Sequence, residues 1–227
     1  MISDILNKSD LYKEVKEKSI QKAEAFIPQC KKAIEESNNP FLTATKIAVA
    51  GNVIDLASEY NFDLETELTK VLKTDFSIDD SSKLEKSLKK SKRVVYLADN
   101  AGENVFDRLY IETLQQLFKD IKIYYFVRST PIINDITYEE LKNDPIHNTA
   151  TVVDSGVQTP GIVIENLNIE ARALFEKADC IISKGMGNYE CLSENKDYPL
   201  YYLLKVKCNV VANALAMDVG DIICKKS

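Results

Sequence analysis

Histidine is nearly absent from this sequence of 227 residues, in which His147 is the only one. Zinc sites rich in histidine and most nucleophilic mechanisms based on histidine are therefore disfavoured, because both depend on imidazole side chains. His147 itself is interpreted as a loop residue. Cysteine is also sparse and shows no Cys-x-x-Cys spacing, which is typical of reduced thiols in a cytoplasmic protein; the five are Cys30, Cys180, Cys191, Cys208 and Cys224.

Long apolar runs and an excess of positive charge are missing as well. No segment approaches the roughly 20 apolar residues that span a bilayer, and the N-terminus lacks the apolar core of a signal peptide. The 29 basic and 35 acidic residues give a net charge of -6, whereas nucleic-acid binding requires a concentrated basic face. The basic run 83–93 is predicted to be a solvated helix face. We therefore expect a soluble cytoplasmic protein with neither nucleic-acid nor membrane partners.

The first ninety residues predict a helical subdomain. From Asp10, a predicted N-cap, apolar residues recur at helical spacing until Asn38-Asn39-Pro40 stops the run, and Pro28 is predicted to bend or divide this helix. A second helix is predicted over 43–60. Gly51 lies within this helix and indicates a position without room for a side chain, because either a packing neighbour or a ligand comes close. Further helices are predicted between residues 63 and 90.

After residue 91 the sequence alternates between strand and helix patterns. Such alternation predicts parallel βαβ units with helices on both faces of a sheet. The predicted fold class is α/β, with a three-layer Rossmann-like, mostly parallel sheet in residues 91–227 and the helical subdomain, or cap, in residues 1–90. The predicted strands cover 93–98, 121–127, 150–153, 180–183 and 201–206, with a last one near Ile222; the predicted helices cover 103–119, 136–143 and 168–178.

Polar side chains follow each predicted strand at the edge where open parallel sheets bind ligands. Asp99, Asn100 and Asp135 offer oxygen ligands without sulfur or imidazole, a set that suits Mg²⁺ or Mn²⁺ and leaves positions for water and a phosphate oxygen. The alternative is that Asp99 and Asn100 cap the helix that begins near Glu103, and that Asp135 caps the helix after it.

The segment KGMGNY, residues 184–189, combines a lysine, two glycines and an amide side chain. Backbone N–H groups at the glycines can approach an anion, so the segment indicates an anion site or an ordinary glycine turn. It lacks the spacing of a P-loop or of a dinucleotide fingerprint. Lys205 lies in an otherwise apolar predicted strand, either at an edge where it extends to solvent or facing inward toward an anion.

Six ordered motifs resemble the damage-control phosphatase family, once catalogued as domain of unknown function eighty-nine, in its bacterial and archaeal branch. The likeness runs from about Tyr12 to the C-terminus. Relatives in this branch usually begin with an additional helical segment containing Cys-x-x-Cys, which this sequence lacks, with expected effects on specificity or stability. The motifs are GNVIDL (51–56), YLADNAGENVFDRL (96–109), PIINDIT (131–137), DSGVQTPG (154–161), KGMGNYECLSE (184–194) and LLKVKC (203–208).

The resemblance implies a metal-dependent phosphatase that acts on small phosphorylated metabolites, such as sugar phosphates or damaged metabolites. It implies a divalent cation, Mg, Mn, Co or Ni, on Asp99, Asn100 and Asp135, with Asp99 and Asp135 catalytic. Either water or the Asp99 carboxylate is the nucleophile. Asn52 and Asp55 are assigned to positions behind the metal ligands or in the pocket wall, and the substrate-binding residues implied by the resemblance are Glu103, Lys184, Gly187, Asn188 and Lys205.

Two other functions fit the same residues. A glycine after the first strand also suits an adenosyl-cofactor-dependent carboxyl methyltransferase, which would bind its cofactor without metal and give Asp135 no role. A metabolite-binding protein that keeps the pocket without catalysis is the second alternative.

Overall fold

The structure is a computed structural model, and it describes residues 8–53 and 64–227 of the chain. Short 3-10 helices cover Ile164–Asn166 and Pro145–Asn148, the second of which contains His147 on an exposed connection. The α-helices of the described residues are α1 Lys13–Glu24, α2 Ile27–Glu35, α3 Pro40–Val53, α4 Leu64–Lys73, α5 Ser81–Leu88, α6 Glu103–Leu117, α7 Tyr138–Leu141, α8 Ile169–Glu176, α9 Gly185–Leu192 and α10 Asn209–Leu215. The strands are β1 Ile78–Asp79, β2 Arg93–Leu97, β3 Lys122–Val127, β4 Thr151–Asp154, β5 Cys180–Lys184, β6 Leu200–Lys205 and β7 Ile222–Lys226.

All seven strands join one sheet in the order β1-β7-β6-β5-β2-β3-β4. Neighbouring strands are parallel except β6 and β7, which are antiparallel. The chain moves outward from β2 to β4 on one side and from β5 to β7 on the other. The strand order therefore reverses between β2 and β5, where open parallel sheets form a ligand-binding crevice at the carboxyl ends of their strands.

Side chains of the central strands alternate between two apolar layers. Val94 and Tyr96 of β2 pack with α1–α7 on one face, whereas Val95 and Leu97 pack with α8–α10 on the other. Strands covered on both faces must be apolar nearly throughout, which explains the run of β-branched and aromatic residues in β2. The predicted three-layer α/β fold with a mostly parallel sheet is confirmed.

The predicted strands and later helices coincide with observed elements, with ends shifted by a few residues. Helix 103–119 is observed as α6, 136–143 shortens to the single turn of α7, and 168–178 is α8. The short strand β1 was not predicted, because two residues carry no detectable alternation. The stretch 54–60 of the predicted second helix lies outside the described residues.

One prediction near the N-terminus is wrong. Asp10 is not a helix N-cap: its Oδ1 accepts a hydrogen bond from the Tyr12 N–H at 2.8 Å, and its other oxygen pairs with Lys16 Nζ at 2.9 Å. The predicted stop of the helical run at residues 38–40 agrees with the structure, in which α2 ends at Glu35 and α3 begins at Pro40. There the Asn39 Oδ1 accepts from the backbone N–H of Leu42 at 3.1 Å, so asparagine caps the helix and proline takes its first position.

The division of helices α1 and α2 was predicted from Pro28, which lies in the first turn of α2. Both helices pack on the same apolar cluster as α3, α6 and one face of the sheet. In addition, β1 pairs with β7 through Ile78 and Ile223. The segment before residue 90 thus contributes to the sheet and to its core, and a boundary between two domains at residue 90 stays a prediction.

Gly51 marks a close packing contact between α3 and α6. A Cβ atom at this position would lie 3.0 Å from Phe106 Cδ2 and 3.4 Å from the Cα of Glu103. The four residues before Gly51 on α3, residues 47–50, are apolar and fully buried, so an outward movement of the helix would disrupt packed core contacts. The missing side chain therefore fixes the distance between α3 and the first turn of α6.

Substitution Gly51→Val is expected to lower the free energy of unfolding by about 1–3 kcal/mol, because the added methyl groups overpack the contact with Phe106. Urea denaturation followed by far-UV circular dichroism measures the change. Gln29→Val, on the exposed side of α2, is the matched control for placing valine in a helix. Equal losses in the two variants would contradict the packing role of Gly51.

Candidate active site

The carboxyl end of β2 and the loop after β3 meet through backbone pairing. Residues 99–101 and 134–136 run antiparallel, with a bridge between Asn100 and Asp135. The Ile136 N–H donates to the Asp99 carbonyl oxygen at 2.9 Å, and the Ala101 N–H donates to the Asn134 carbonyl oxygen at 2.8 Å. The structure therefore brings the three predicted metal ligands, Asp99, Asn100 and Asp135, to one place.

Helix capping does not explain these three residues. The N-cap of α6 is Gly102, with φ 95° and no capping side chain. The N-cap of α7 is Thr137, which forms a capping box with Glu140. The capping alternative is therefore wrong for Asp99, Asn100 and Asp135.

The side chain of Asn100 is oriented by two carboxylates. Its Nδ2 donates to Asp99 Oδ2 and to Glu103 Oε1, each at 3.1 Å. The amide nitrogen is thus engaged with acceptors, and the carbonyl oxygen is the atom of this amide that can bind a cation.

Burial and mutual repulsion raise the pKa of two carboxyl groups. Burial raises the pKa of Asp99 well above its usual range, Glu103 and Asp135 raise it further, and the positive charges of Arg128 and Lys207 oppose them. Burial likewise raises the pKa of Asp135 to about 6, against the opposing charge and hydrogen bond of Arg128. Such a cluster favours an added positive charge.

Asp99 is close to the first residue of α9. A Cβ atom on Gly185 would collide with Asp99 Oδ2, and Gly185 has φ 75°, a conformation that favours glycine. The first glycine of the KGMGNY segment is therefore required by the Asp99 carboxylate. The N-terminal end of α9 also favours a negative charge at this position.

Lys184 lies beneath the site in a fully buried ionic network. Its Nζ donates to Asp107 Oδ1 at 2.6 Å and to Glu103 Oε2 at 3.2 Å. Burial opposes its charge, but the two carboxylates outweigh burial and raise the pKa of Lys184. Tyr96 and Tyr125 also donate to Asp107, at 2.6 and 2.9 Å. Lys184 is therefore committed to carboxylates, and direct contact with substrate stays a prediction.

Contacts within the protein explain why residue 187 is a glycine and why residue 188 carries an amide side chain. The Pro160 carbonyl oxygen would lie 2.6 Å from a Cβ atom on Gly187, so the loop after β4 requires glycine there. Asn188 is fully buried, with its amide bonded to protein at both ends. Contacts of these two residues with substrate stay predictions.

Lys205 is the half-buried last residue of β6, at the same edge of the sheet. Lys207, two residues further, is exposed, and its charge lowers the pKa of Asp99. The structure does not describe the side chains of Asn52 and Asp55: Asp55 lies outside the described residues, and for Asn52 only the backbone, in α3, is described. Their predicted positions stay untested.

Three residues near the site were not predicted: Arg128, Asp107 and Lys207. Arg128 directly follows the apolar run of β3, so the rule that identified Asp99 after β2 could have found it. Asp107 follows Glu103 by four residues, a spacing that places both carboxylates on one helix face. Lys207 follows the end of β6 by two residues, as Asp99 follows β2, so the same rule could have found it.

The donor set fits a hard divalent cation. Two carboxylates and an amide oxygen are the ligands of Mg²⁺ and Mn²⁺, which keep several waters and accept phosphate oxygens. Within residues 8–53 and 64–227, no three histidine, cysteine, aspartate or glutamate side chains are arranged to hold a metal ion by themselves. A site formed by Asp99, Asn100 and Asp135 would have an amide oxygen as its third ligand.

The fold and this edge define an α/β protein with a buried acidic site at the switch point of a mostly parallel sheet. The chain belongs to the family described as damage-control phosphatase ARMT1-like domain, whose family model matches residues 1–223. The resemblance inferred from the six motifs is confirmed.

Several archaeal proteins are similar to this chain. A damage-control phosphatase of Pyrococcus horikoshii is 37% identical over 188 residues, which cover 82% of this chain and 65% of that protein. A damage-control phosphatase of Archaeoglobus fulgidus is 34% identical over 229 residues, covering 99% of this chain and 78% of that protein. The chain thus spans about two thirds of the length of the first relative.

The fold is similar to a solved structure. The crystal structure of a duf89 family protein from Pyrococcus horikoshii superimposes with a TM-score of 0.89 at 34% sequence identity, covering 99% of this chain and 78% of that chain. No helix in the described part of this chain is long and apolar enough to cross a membrane.

The raised pKa of Asp135 predicts a pH-dependent stability in the absence of metal. The unfolded chain releases this proton near pH 3.8 and the folded chain near 6, so stability falls as pH rises between these values. The asparagine in Asp135→Asn cannot ionise, so the variant does not lose stability for this reason as pH rises. Its free energy of unfolding, relative to the wild-type protein, is expected to rise by about 2 kcal/mol between pH 4 and pH 7.

Urea denaturation in buffers containing a chelator measures both proteins at each pH. The exposed residue Asp120 gives the control Asp120→Asn, which removes one surface carboxylate. Parallel pH profiles for the two variants would contradict the burial argument for Asp135.

Proposed function

We propose that this protein is a metal-dependent phosphatase that hydrolyses phosphomonoesters of small metabolites. The proposal is supported chiefly by the backbone pairing that places Asp99 and Asn100 beside Asp135. The names of the archaeal relatives add support for phosphatase chemistry. Mg, Mn, Co and Ni are the candidate metals.

In the proposed reaction, Asp99, Asn100 and Asp135 hold the cation, which when bound supplies positive charge to polarise the phosphoryl group. Lys205 and Lys207 place further positive charge at the same edge of the sheet, where it can neutralise the remaining phosphoryl oxygens. Phosphoryl transfer depends mainly on such positioning and charge neutralisation.

Glu103 is proposed to accept a hydrogen bond from a hydroxyl group of the substrate. Its two oxygens contact Asn100 Nδ2 and Lys184 Nζ. These contacts fix the carboxylate, and each oxygen can accept more than one hydrogen bond.

A cavity next to the loop of Asp135 is proposed to hold the part of the substrate that carries the phosphate. It has a volume of about 750 Å³ and lies between α1 and residues 129–140, a size that suits a small metabolite. Its wall includes Ser129, Thr137 and Glu17. Pro131 and Thr137 of the wall flank Asp135 along the chain, so the loop that carries Asp135 forms part of the cavity wall. Hydroxyl and carboxylate groups in the wall favour a sugar phosphate.

Hydrolysis of p-nitrophenyl phosphate tests the chemistry. We expect activity with Mn²⁺, Co²⁺ or Mg²⁺, loss of activity with a chelator, and a fall in kcat/KM of at least about a hundredfold in Asp99→Ala and Asp135→Ala. Asp120→Ala is the control for removing an exposed carboxylate. Activity that survives chelation, or that survives in Asp99→Ala, would contradict the proposal; binding of sugar phosphates without hydrolysis would favour a non-catalytic metabolite-binding protein.

A second experiment tests the cavity. Glu17→Ala is expected to raise KM for a hydrolysed sugar phosphate by about three- to tenfold, since one hydrogen bond to a sugar hydroxyl is lost, while KM for p-nitrophenyl phosphate changes less than about twofold. Glu14→Ala, on the same helix but outside the cavity wall, is the matched control. Equal changes for both substrates would contradict placement of the sugar in this cavity.

A further inference from the structure

Arg128 is a buried arginine directly behind the proposed metal site. It follows β3 immediately and is only 1% exposed. Its Nε donates to Asp135 Oδ2 at 2.8 Å, and its Nη2 donates to the Pro160 carbonyl oxygen at 2.7 Å and to Asn188 Oδ1 at 3.1 Å. Burying a guanidinium is unfavourable unless its partners are well placed, so these three contacts define its orientation.

Asn188 connects Arg128 to the end of the chain segment that leads from β2 to Asp99. Its Oδ1 also accepts from the Ile162 N–H at 2.9 Å, and its Nδ2 donates to the carbonyl oxygens of Ala98 and Lys184 at 3.0 and 2.8 Å. Ala98 directly precedes Asp99. One amide side chain therefore connects the guanidinium that binds Asp135 to the backbone that carries the other two proposed ligands.

The guanidinium keeps this orientation although one donor group stays unsatisfied. Nη1 of Arg128 is buried and has no hydrogen-bond partner among the described residues. An unsatisfied buried donor is costly, so satisfying every N–H group does not explain the orientation of this arginine. What the orientation does provide is a hydrogen bond to Oδ2 of Asp135, so Oδ1 would be the oxygen of this carboxylate that binds a cation.

The loop that carries Asp135 needs such a contact. Ile133, two residues earlier, has φ 47°, a strained conformation for a β-branched residue, and its side chain is 53% exposed. The side chain of Asp135 is therefore oriented from behind by Arg128, while the bridge to Asn100 fixes its backbone.

We propose that Arg128 and Asn188 are positioning residues of the metal site: Arg128 orients the Asp135 carboxylate toward Asp99 and Asn100, and Asn188 holds Arg128. This inference rests on the proposed function, because it assumes that these three residues bind the cation. Residues that orient metal ligands in this way typically change metal affinity by about 10- to 100-fold when they are substituted.

Mn²⁺ titration, followed by the electron paramagnetic resonance signal of the free ion, tests this role directly. Arg128→Lys keeps the positive charge but removes the planar fork, and we expect the Kd for Mn²⁺ to rise by about 10- to 100-fold. Phosphatase activity should fall at low Mn²⁺ and return to within about threefold of wild type at saturating Mn²⁺, because the substitution weakens binding of the cation.

Arg108→Lys is the matched control. Arg108 is also buried and pairs with Glu24 at 2.8 Å and with Asp144 at 3.3 Å, away from Asp135. This substitution is expected to lower the melting temperature while the Kd for Mn²⁺ stays within about twofold. Unchanged Mn²⁺ affinity in folded Arg128→Lys protein, or an equal loss in Arg108→Lys, would overturn the proposal.

Asn188→Ser provides an independent test and decides the matter if Arg128→Lys does not fold. It is expected to weaken Mn²⁺ binding by at least about threefold, and where the double variant folds, its loss should be smaller than the product of the single losses, since both act through Asp135. Unchanged affinity in Asn188→Ser, or independent losses, would overturn the proposal. A wild-type protein that binds no Mn²⁺, or an Asp99→Ala protein that binds it normally, would instead refute the proposed function itself.

Discussion

Three carboxylates, those of Asp99, Glu103 and Asp135, repel one another inside a buried edge of the sheet. Burial and this repulsion raise the pKa of Asp99, and burial is likewise the main reason that the pKa of Asp135 is raised. Arg128 pairs with Asp135 and Lys184 pairs with Glu103. The pKa of Asp99 and that of Asp135 stay raised in spite of the nearby cations, so the protein offsets only part of the burial and repulsion. The remaining charge is the physical reason to expect a divalent cation here.

The fold makes this unfavourable arrangement possible by bringing several chain segments to the point where the strand order reverses. Antiparallel pairing of residues 99–101 with 134–136 fixes the proposed ligands, and the conformation of Gly185 leaves room for the Asp99 carboxylate. On the core side, Asp107 and two tyrosines hold Lys184 in contact with Glu103. Asp135 and Glu103 are bonded by cations from other segments, and Asn100 is oriented by carboxylates of its own segment. Such contacts are how a protein positions ligands before a cation binds.

The sequence predicted most of the sheet and the proximity of Asp99, Asn100 and Asp135, because both signals are local. Buried parallel strands require continuous apolar runs, and ligand-binding residues follow directly after them. The prediction for Asp10 was wrong because an aspartate before a helix has two interpretations, and this one pairs with Lys16 instead of capping the helix. The contacts of Lys184 and Asn188 involve segments about 80 residues apart, so no local pattern could show that these side chains contact protein groups.

Asp99, Asn100 and Asp135 are proposed to share one divalent cation. Crystals grown with Mn²⁺ and measured at the manganese absorption edge would locate the ion by its anomalous scattering. We expect a single strong peak within about 2.0–2.4 Å of one oxygen from each of the three side chains. A peak bound elsewhere, or bound to only one of the two aspartates with the other turned away from it, would show that the three residues do not share a cation.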